Sequence, residues 1–405
     1  MYERIMVALD GSPCSNLAIK PALALAGSDE RTSLVGCHVY AARMHRVRFE
    51  EMELRLPEQY QEEERLDYLR QTHDCLITDG MQLISDAYLA PLARQAEELG
   101  ISLSGLALEG RNYVELLKAV REQKTNLLMM GAWGHGHVPE GDLGSLTERM
   151  LLYTRESDLM IMRRSWNCKN RPIVVGVDGS AESFRALQRG VDIARIFDAR
   201  VEAVAVYDPF FHSGVFRTIA DALPEEDKER FDFVAQEKLH DEIIDRGLEK
   251  LYQEELERGL LLARSMGMEV HTEILAGKVY PQIHHYAAFK EAALVVVGRR
   301  GLHQEAESLV DSNTLNLARL SSTNLLVVAP SKEPLDVPSV SRQEEETALP
   351  WTPEAEARLK RIPPFIRKMA RRAIESHARE NGISQITPET VQEVSHRMGM
   401  GKSGG

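Results

Sequence analysis

Short apolar runs recur along the chain, each closed off by Gly, Asp or Ser or by a longer polar stretch. A first set lies near 4–9, 34–40, 101–108, 127–131 and 159–162, and a second near 172–177, 201–206, 268–275, 293–298 and 325–329. Continuous apolar runs of this length read as strands buried on both faces. Between them the apolar positions change to helical spacing. Each set therefore reads strand, helix, strand, long helical region, strand, helix, strand, helix, strand. That alternation predicts βαβ units, a parallel sheet and helices on both of its faces. The long helical regions fall at 42–98 and 208–265, rich in Glu and Asp, with Leu76, Leu83 and Ala87 at helical spacing. They predict long solvated helices that pack on a neighbour through their apolar positions.

The two sets are copies of one unit. RIMVALDGS at 4–12 returns as PIVVGVDGS at 172–180, and from residue 39 onward the offset settles at 167. Val39-Tyr40 then matches Val206-Tyr207, Gly131 and Gly134 match Gly298 and Gly301, and Ser145 and Thr147 match Ser312 and Thr314. A fixed offset over such a length marks a tandem duplication. The fold expected is α/β: two tandem doubly wound parallel-sheet domains of Rossmann type, at 1–165 and 170–330, followed by a small all-α domain. His73-Asp74 and His240-Asp241 also repeat, but neighbours on a helix point in different directions, so they read as structural.

Ligands of such sheets bind beyond the carboxyl ends of the strands, where strand order reverses. Asp10, Val39 and Gly131 stand at such ends. After the fourth strand comes Gly131-x-x-Gly134, nine residues, then Gly144-Ser145 opening a helix. Glycines let backbone approach a ribose and phosphate and permit positive φ. A helix N-terminus presents free N–H groups and a positive dipole end to an anion. The loop also holds His135 and His137, which read either as a cation–phosphate contact or as part of a surface loop. No Ser-His-Asp set, paired carboxylates or zinc spacing points to a dedicated reaction.

The pattern G-x-x-G-x9-G-[ST], behind a strand ending in Asp-Gly-Ser, resembles the ATP-binding universal stress proteins over about 1–165 and again 170–330. The resemblance implies that Asp10 contacts the sugar or base, Val39 meets adenine, Met130 offers backbone contacts, and Gly144 and Ser145 hold phosphate. Gly131 and Gly134 complete that set. Where the family usually has His, this chain has Trp133, which either stacks on a ligand or packs. The second copy keeps Asp178, Val206, Gly298, Gly301 and Ser312, but Asp311 stands at the position of Gly144, so a weaker second site is expected. Arg299 and Arg300 are candidates to offset that carboxylate by pairing with it or with phosphate. The ligand implied is ATP or AMP, with or without Mg, and at most slow ATP turnover.

Composition narrows the setting. The chain has 405 residues and a net charge of −13, which argues against non-specific nucleic-acid binding. No run of eighteen apolar residues is present, so no membrane span is expected. The chain opens straight into a strand pattern, which leaves no expected signal peptide, and Cys14, Cys37, Cys75 and Cys168 lack metal or disulfide spacing. A reduced, cytoplasmic protein is expected. Charge is uneven: residues 349–405 hold ten Lys and Arg against six Glu, a balance of +4 that leaves −17 on residues 1–348.

Residues 331–348 are rich in Pro, Ser and Glu and read as a linker. In the domain expected at 349–400, Thr352-Pro353 and Thr387-Pro388 are helix-start signals. Phe365, Ile366, Met369, Ala370, Ala373 and Ile374 form an apolar face, Arg367, Lys368, Arg371 and Arg372 lie largely opposite, and Gly382 ends the helix. The Trp-x-Pro-Glu-Ala start, the Pro-Phe-x-Arg turn and the closing Ile-Thr-Pro-Glu resemble the small C-terminal domain of the B-type subunit of light-independent protochlorophyllide reductase. That resemblance implies docking near a redox or tetrapyrrole protein; a helical clip is the alternative. Two functions stand from the sequence. One is a stress-response regulator in which adenine nucleotide biases conformation or partner choice. The other is a non-catalytic scaffold whose tail recruits a protein partner. Pairing as a homo-oligomer or an intrachain pseudo-dimer is expected with either.

Overall fold

The computed structural model describes residues 2–397 apart from 54, 137–142, 209–217, 220–221, 225–244, 303–308, 332, 340–348, 362–370, 372–373, 376, 379–380 and 382. His137, His240 and Asp241 lie outside the described residues, as does most of the tail's expected basic helix. The chain divides into two compact units, Met1–Asp208 with Leu251–Pro338, and Pro209–Lys250 with Ser339–Gly405.

The larger unit holds both copies. The first copy runs β1 (Arg4–Ala8), α1 (Pro13–Asn16), α2 (Ile19–Gly27), β2 (Ser33–Tyr40), α3 (Ala42–Glu53), α4 (Glu63–Glu98), β3 (Leu103–Glu109), α5 (Asn112–Glu122), β4 (Leu127–Gly131), α6 (Ser145–Tyr153) and β5 (Asp158–Met162). The second runs β6 (Ile173–Gly176), α7 (Ala181–Phe197), β7 (Val201–Tyr207), α8 (Asp245–Ser265), β8 (His271–Ala276), α9 (Val279–Phe289), β9 (Leu294–Gly298), α10 (Ser312–Leu320) and β10 (Asn324–Val328). Every predicted strand is present.

All ten strands form one sheet in the order β3-β2-β1-β4-β5-β10-β9-β6-β7-β8. Within each copy the neighbours are parallel; among the described residues the single antiparallel pair, β5 with β10, joins the copies with Leu159 opposite Val327 and Ile161 opposite Leu325. The copies thus form an intrachain pseudo-dimer. Every residue of β4, β5 and β10 is buried, which explains their continuous apolar runs.

One expectation needs correction. Leu76 and Leu83 of α4 are exposed, and the helix instead buries Ser85, Leu92 and Ala96. The first turns of so long a helix pack on α3, where Arg70 forms two bonds to Glu53, while only its later turns reach the sheet. His73 stacks on Phe49 with ring centroids 4.4 Å apart, a packing role.

The interface between copies contains a buried polar network. Asp158 accepts hydrogen bonds from the Tyr2 hydroxyl (2.7 Å), the Ala329 N–H (2.8 Å) and Arg189 Nε (3.2 Å). The Asn324 side-chain oxygen receives the N–H groups of Arg163 and Arg164. Leu335 and Val337, in the stretch read as a linker, pack against the core of this unit.

In the smaller unit, α11 (Pro353–Arg361) and α12 (Pro388–Arg397) flank a core of Ala355, Leu359, Ile374, Ala378, Ile386, Val391 and Val394. Thr352 Oγ1 accepts the Ala355 N–H at 3.2 Å, as its N-cap signal required. Trp351 donates to Glu375, and the Arg371 guanidinium lies 5.1 Å above the Trp351 ring.

Asp158→Ala strands the Tyr2 hydroxyl, the Ala329 N–H and part of Arg189 without their acceptor. The expected loss is about 3 kcal/mol of unfolding free energy in urea titration. A loss below about 1 kcal/mol would show that the network contributes little beyond packing.

Candidate functional site

The strand order puts β1 beside β4 while the chain turns to opposite edges from them, so a crevice opens at their carboxyl ends. Asp10 follows β1 and Gly131 ends β4. Gly11, with φ +76°, makes the turn of the Asp-Gly-Ser run, and Gly179 does the same in the second copy with φ +88°. Ser12 then caps α1 by accepting the Ser15 N–H, while its own N–H donates to Asp10 Oδ1 at 3.0 Å. Asp178, Ser180 and Ser183 repeat this geometry.

Space, rather than positive φ, explains the motif glycines. Gly131, Gly134 and Gly144 have no positive φ, contrary to expectation. A Cβ on Gly131 would lie 2.8 Å from the Ser15 nitrogen, and one on Gly134 would lie 2.1 Å from Asp10 Oδ2. Any side chain at these positions would displace α1 or the Asp10 carboxylate. Gly144 is the N-cap of α6 at φ −63° and ψ 140°, and among the described residues no side chain caps that helix. Its N–H donates to the Ala132 carbonyl at 2.8 Å, so free donors at this end must come from residues after it. Thr147 ties α6 to the strand end by donating to the Gly131 carbonyl at 2.8 Å, and Thr314 repeats this to Gly298 at 3.0 Å. The matched threonines thus have a structural reason.

The structure brings Asp10, Gly131, Gly134 and Gly144 to one crevice, with Ser145 exposed at the start of α6. Val39 lies at the end of β2 and Met130 is buried on β4, one on either side of β1. Trp133 packs against the core with Arg163 5.2 Å above its ring. No sequence signal pointed to Tyr88 on α4, whose ring covers Gly11: a Cβ there would fall 2.2 Å from it. Tyr88 meets His38 edge-on at 5.1 Å, and His38 Nδ1 lies 2.8 Å from Ser85 Oγ.

In the second copy, Asp178, Val206, Gly298 and Gly301 line one cavity of about 170 Å³, and Ser312 lies outside its lining. Among the described residues neither arginine pairs with Asp311, one of the two roles expected of them. Arg300 pairs with Glu182, its Nε and its N–H both at 2.8 Å, because Glu182 stands on the first turn of α7 beside it. Arg299 is buried and reaches across the interface to the Leu151 carbonyl. Asp311 adopts φ −63° and ψ 144°, the backbone of Gly144, so aspartate meets no conformational barrier there.

Electrostatics follow the packing. Burial raises the Asp10 carboxyl, but hydrogen bonds from Ser12 and Ser15 and the nearby His135 outweigh it and leave Asp10 below its ordinary 3.8. Burial pushes His38 below 6.5 against the pull of Asp10. Burial likewise lowers Arg299, to about 10.

A doubly wound sheet with a glycine-walled crevice at its switch point defines a Rossmann-like α/β protein. The pattern of the universal stress protein family matches residues 1–161 and 169–329, and the chain belongs to that family. A universal stress protein of Methanocaldococcus jannaschii is 30% identical over 166 residues, 40% of this chain and 85% of that relative. The crystal structure of a universal stress protein from Archaeoglobus fulgidus covers 81% of this chain and 99% of its own, at 16% identity and a TM-score of 0.52, which shows a shared fold. The tail, residues 351–394, matches the pattern of the proto-chlorophyllide reductase 57 kD subunit. The B-type subunit of the light-independent protochlorophyllide reductase of Halorhodospira halophila is 49% identical over 55 residues, 14% of this chain but 10% of that relative. The chain therefore spans about a tenth of that reductase polypeptide. No described helix is long and apolar enough to cross a membrane.

Because burial favours neutral His38, the stability it contributes is present above pH 6.5 and lost as pH falls through 6.5 toward its lowered folded value. In nuclear magnetic resonance titration the His38 ring should show a midpoint below 6.5, and Asp10→Asn should lower it further. A midpoint at or above the ordinary value would contradict this packing.

Proposed function

We propose that the first copy binds ATP or AMP, with or without Mg, and that binding biases the conformation or partner choice of a stress-response regulator. The observation that carries this reading is the start of α6 at Gly144, which no described side chain caps, set beside Asp10 and the close-packed glycines 131 and 134. Ser145 and the N–H groups after Gly144 would hold phosphate, where the helix dipole favours an anion. Asp10 would accept from ribose hydroxyls, Val39 would meet the base, and Met130 would offer backbone contacts. Arg163, tied to the Ala318 and Arg319 carbonyls of α10 while lying over Trp133, links this crevice to the second copy. Nucleotide bound in the first crevice can be felt in the second copy by that route.

Gly144→Asp puts a carboxylate at the phosphate seat on a backbone that Asp311 already adopts. Calorimetry should show ATP binding by the natural chain and none at this seat in the variant, with an unchanged circular dichroism spectrum. A natural chain that binds neither ATP nor AMP sinks the reading.

A second reading rests on the tail, which has its own core and its own family match. Here the tail docks the chain on a redox or tetrapyrrole-related protein; the reaction of the matched reductase is not part of the proposal. Because Leu335 and Val337 pack on the larger unit, the tail should be cut after Pro338 rather than at Pro330. A chain ending at Pro338 should keep nucleotide binding and lose at least one protein captured by the full chain. Identical captures would leave the tail as a structural clip.

A further inference from the structure

The two copies differ at the position that decides what charge each can accept. Asp311 Oδ1 accepts the Asn313 N–H at 2.7 Å, so a carboxylate already fills the anion position of α10. A Cβ on Gly301 would lie 2.8 Å from Asp311 Oδ2 and 2.9 Å from Asp178 Oδ2, so two carboxylate oxygens flank one point. Of the neighbouring arginines, Arg300 borders the same cavity with its Nε held by Glu182, and Arg299 is turned to Leu151. All the same, a cavity of about 170 Å³ is present, with Val204, Val206, Ile283 and Val297 in its wall beside the rings of Tyr252 and Tyr280.

We infer that this cavity binds an uncharged, hydroxyl-bearing ligand of the nucleoside class and rejects its phosphorylated forms. The inference rests on the nucleotide reading of the first copy for the kind of ligand, and on the second copy's own residues for the charge. Apolar walls suit a flat base. Carboxylates only accept hydrogen bonds, so they suit the O–H donors of a ribose. A phosphate brought to the same point meets like charge at ~5 Å, which at an effective dielectric near ~20 weakens binding on the order of a hundredfold per unit charge. The chain would then carry one seat for the phosphorylated ligand and one for the same ligand stripped of phosphate. Their relative occupancy would follow the ratio of the two.

The test uses the full chain with Gly144→Asp, which closes the first seat to phosphate, titrated with adenosine and with ATP by calorimetry. Adenosine should bind and ATP should not. Adding Asp311→Asn keeps the helix cap, because Asn caps as well as Asp, but removes the charge. ATP affinity should then rise by roughly a hundredfold while adenosine affinity stays within about threefold. Val206→Phe, which narrows the apolar end, should weaken adenosine binding with the circular dichroism spectrum unchanged, and this locates the ligand. The inference is overturned if the Gly144→Asp chain binds no adenosine, or binds ATP as tightly as adenosine, or if Asp311→Asn leaves ATP binding unchanged. A natural chain without ATP binding overturns the first-copy reading instead, and this one is still decided by whether Val206→Phe weakens adenosine binding in the Gly144→Asp chain.

Discussion

The structure of the larger unit depends on one antiparallel pairing, that of Asp158–Met162 with Asn324–Val328. Each of these strands would otherwise be the outer edge of a five-stranded sheet, with every residue apolar or buried and a row of unpaired backbone groups. Pairing them removes both edges at once. The chain between the copies is short, so the effective concentration of one edge for the other is high and a partner chain is at a disadvantage. Register matters here because a slip of one residue would exchange the side chains packed on the two buried faces. Asp158 and Asn324 hold it, each receiving donors that a shifted strand could not supply.

The same interface ties together the two motif helices, α6 and α10. Arg163 of the first copy donates to the Ala318 carbonyl of α10, and Arg299 of the second donates to the Leu151 carbonyl of α6. Leu151 and Ala318 are matched positions at the repeat offset. The guanidiniums come from unmatched ones. Each cation meets the carbonyl end of a helix in the other copy, where the dipole favours it. Arg319 adds a bond from α10 to Glu148 on α6. The position of Arg299 leaves it a buried Nε and Nη2 that find no partner among the described residues. The Leu151 carbonyl and the nearby carboxylates of Asp158 and Glu182 favour the buried cation.

The strands, the duplication and the crevice residues were legible because each leaves a local mark: an apolar run, a fixed offset, a Gly beside an Asp. Asp10 and Gly134 are far apart in sequence yet in contact, and the strand-end rule of doubly wound sheets sufficed to pair them. What the glycines do was not legible. Their spacing says that no side chain fits, and whether that is for φ or for space depends on what packs opposite, here Ser15 and the Asp10 carboxylate. Arg299 and Arg300 were visible as a charged pair after a strand, but their directions are set by Glu182 and by the other copy, neither of which the local sequence names.

Divergence between the copies is concentrated where the two turns meet their covering helices. Tyr88 of α4 lies over Gly11, and at the matched position on α8 Glu255 lies over Gly179, with a Cβ there 2.8 Å from it. A ring covering the first turn is neutral and apolar; a carboxylate covering the second adds negative charge beside Asp178 and near Asp311. Arg258 pairs with Glu255 at 2.7 Å, and Arg300 with Glu182, so these cations near the second crevice are held by carboxylates that belong to the protein. Each substitution alone would only tune a shared function. Together they make the second crevice consistently averse to anions while its strands, turn and helix cap remain intact. Asp311 as a well-formed cap also steadies α10, so one residue serves the fold and sets the charge of the crevice.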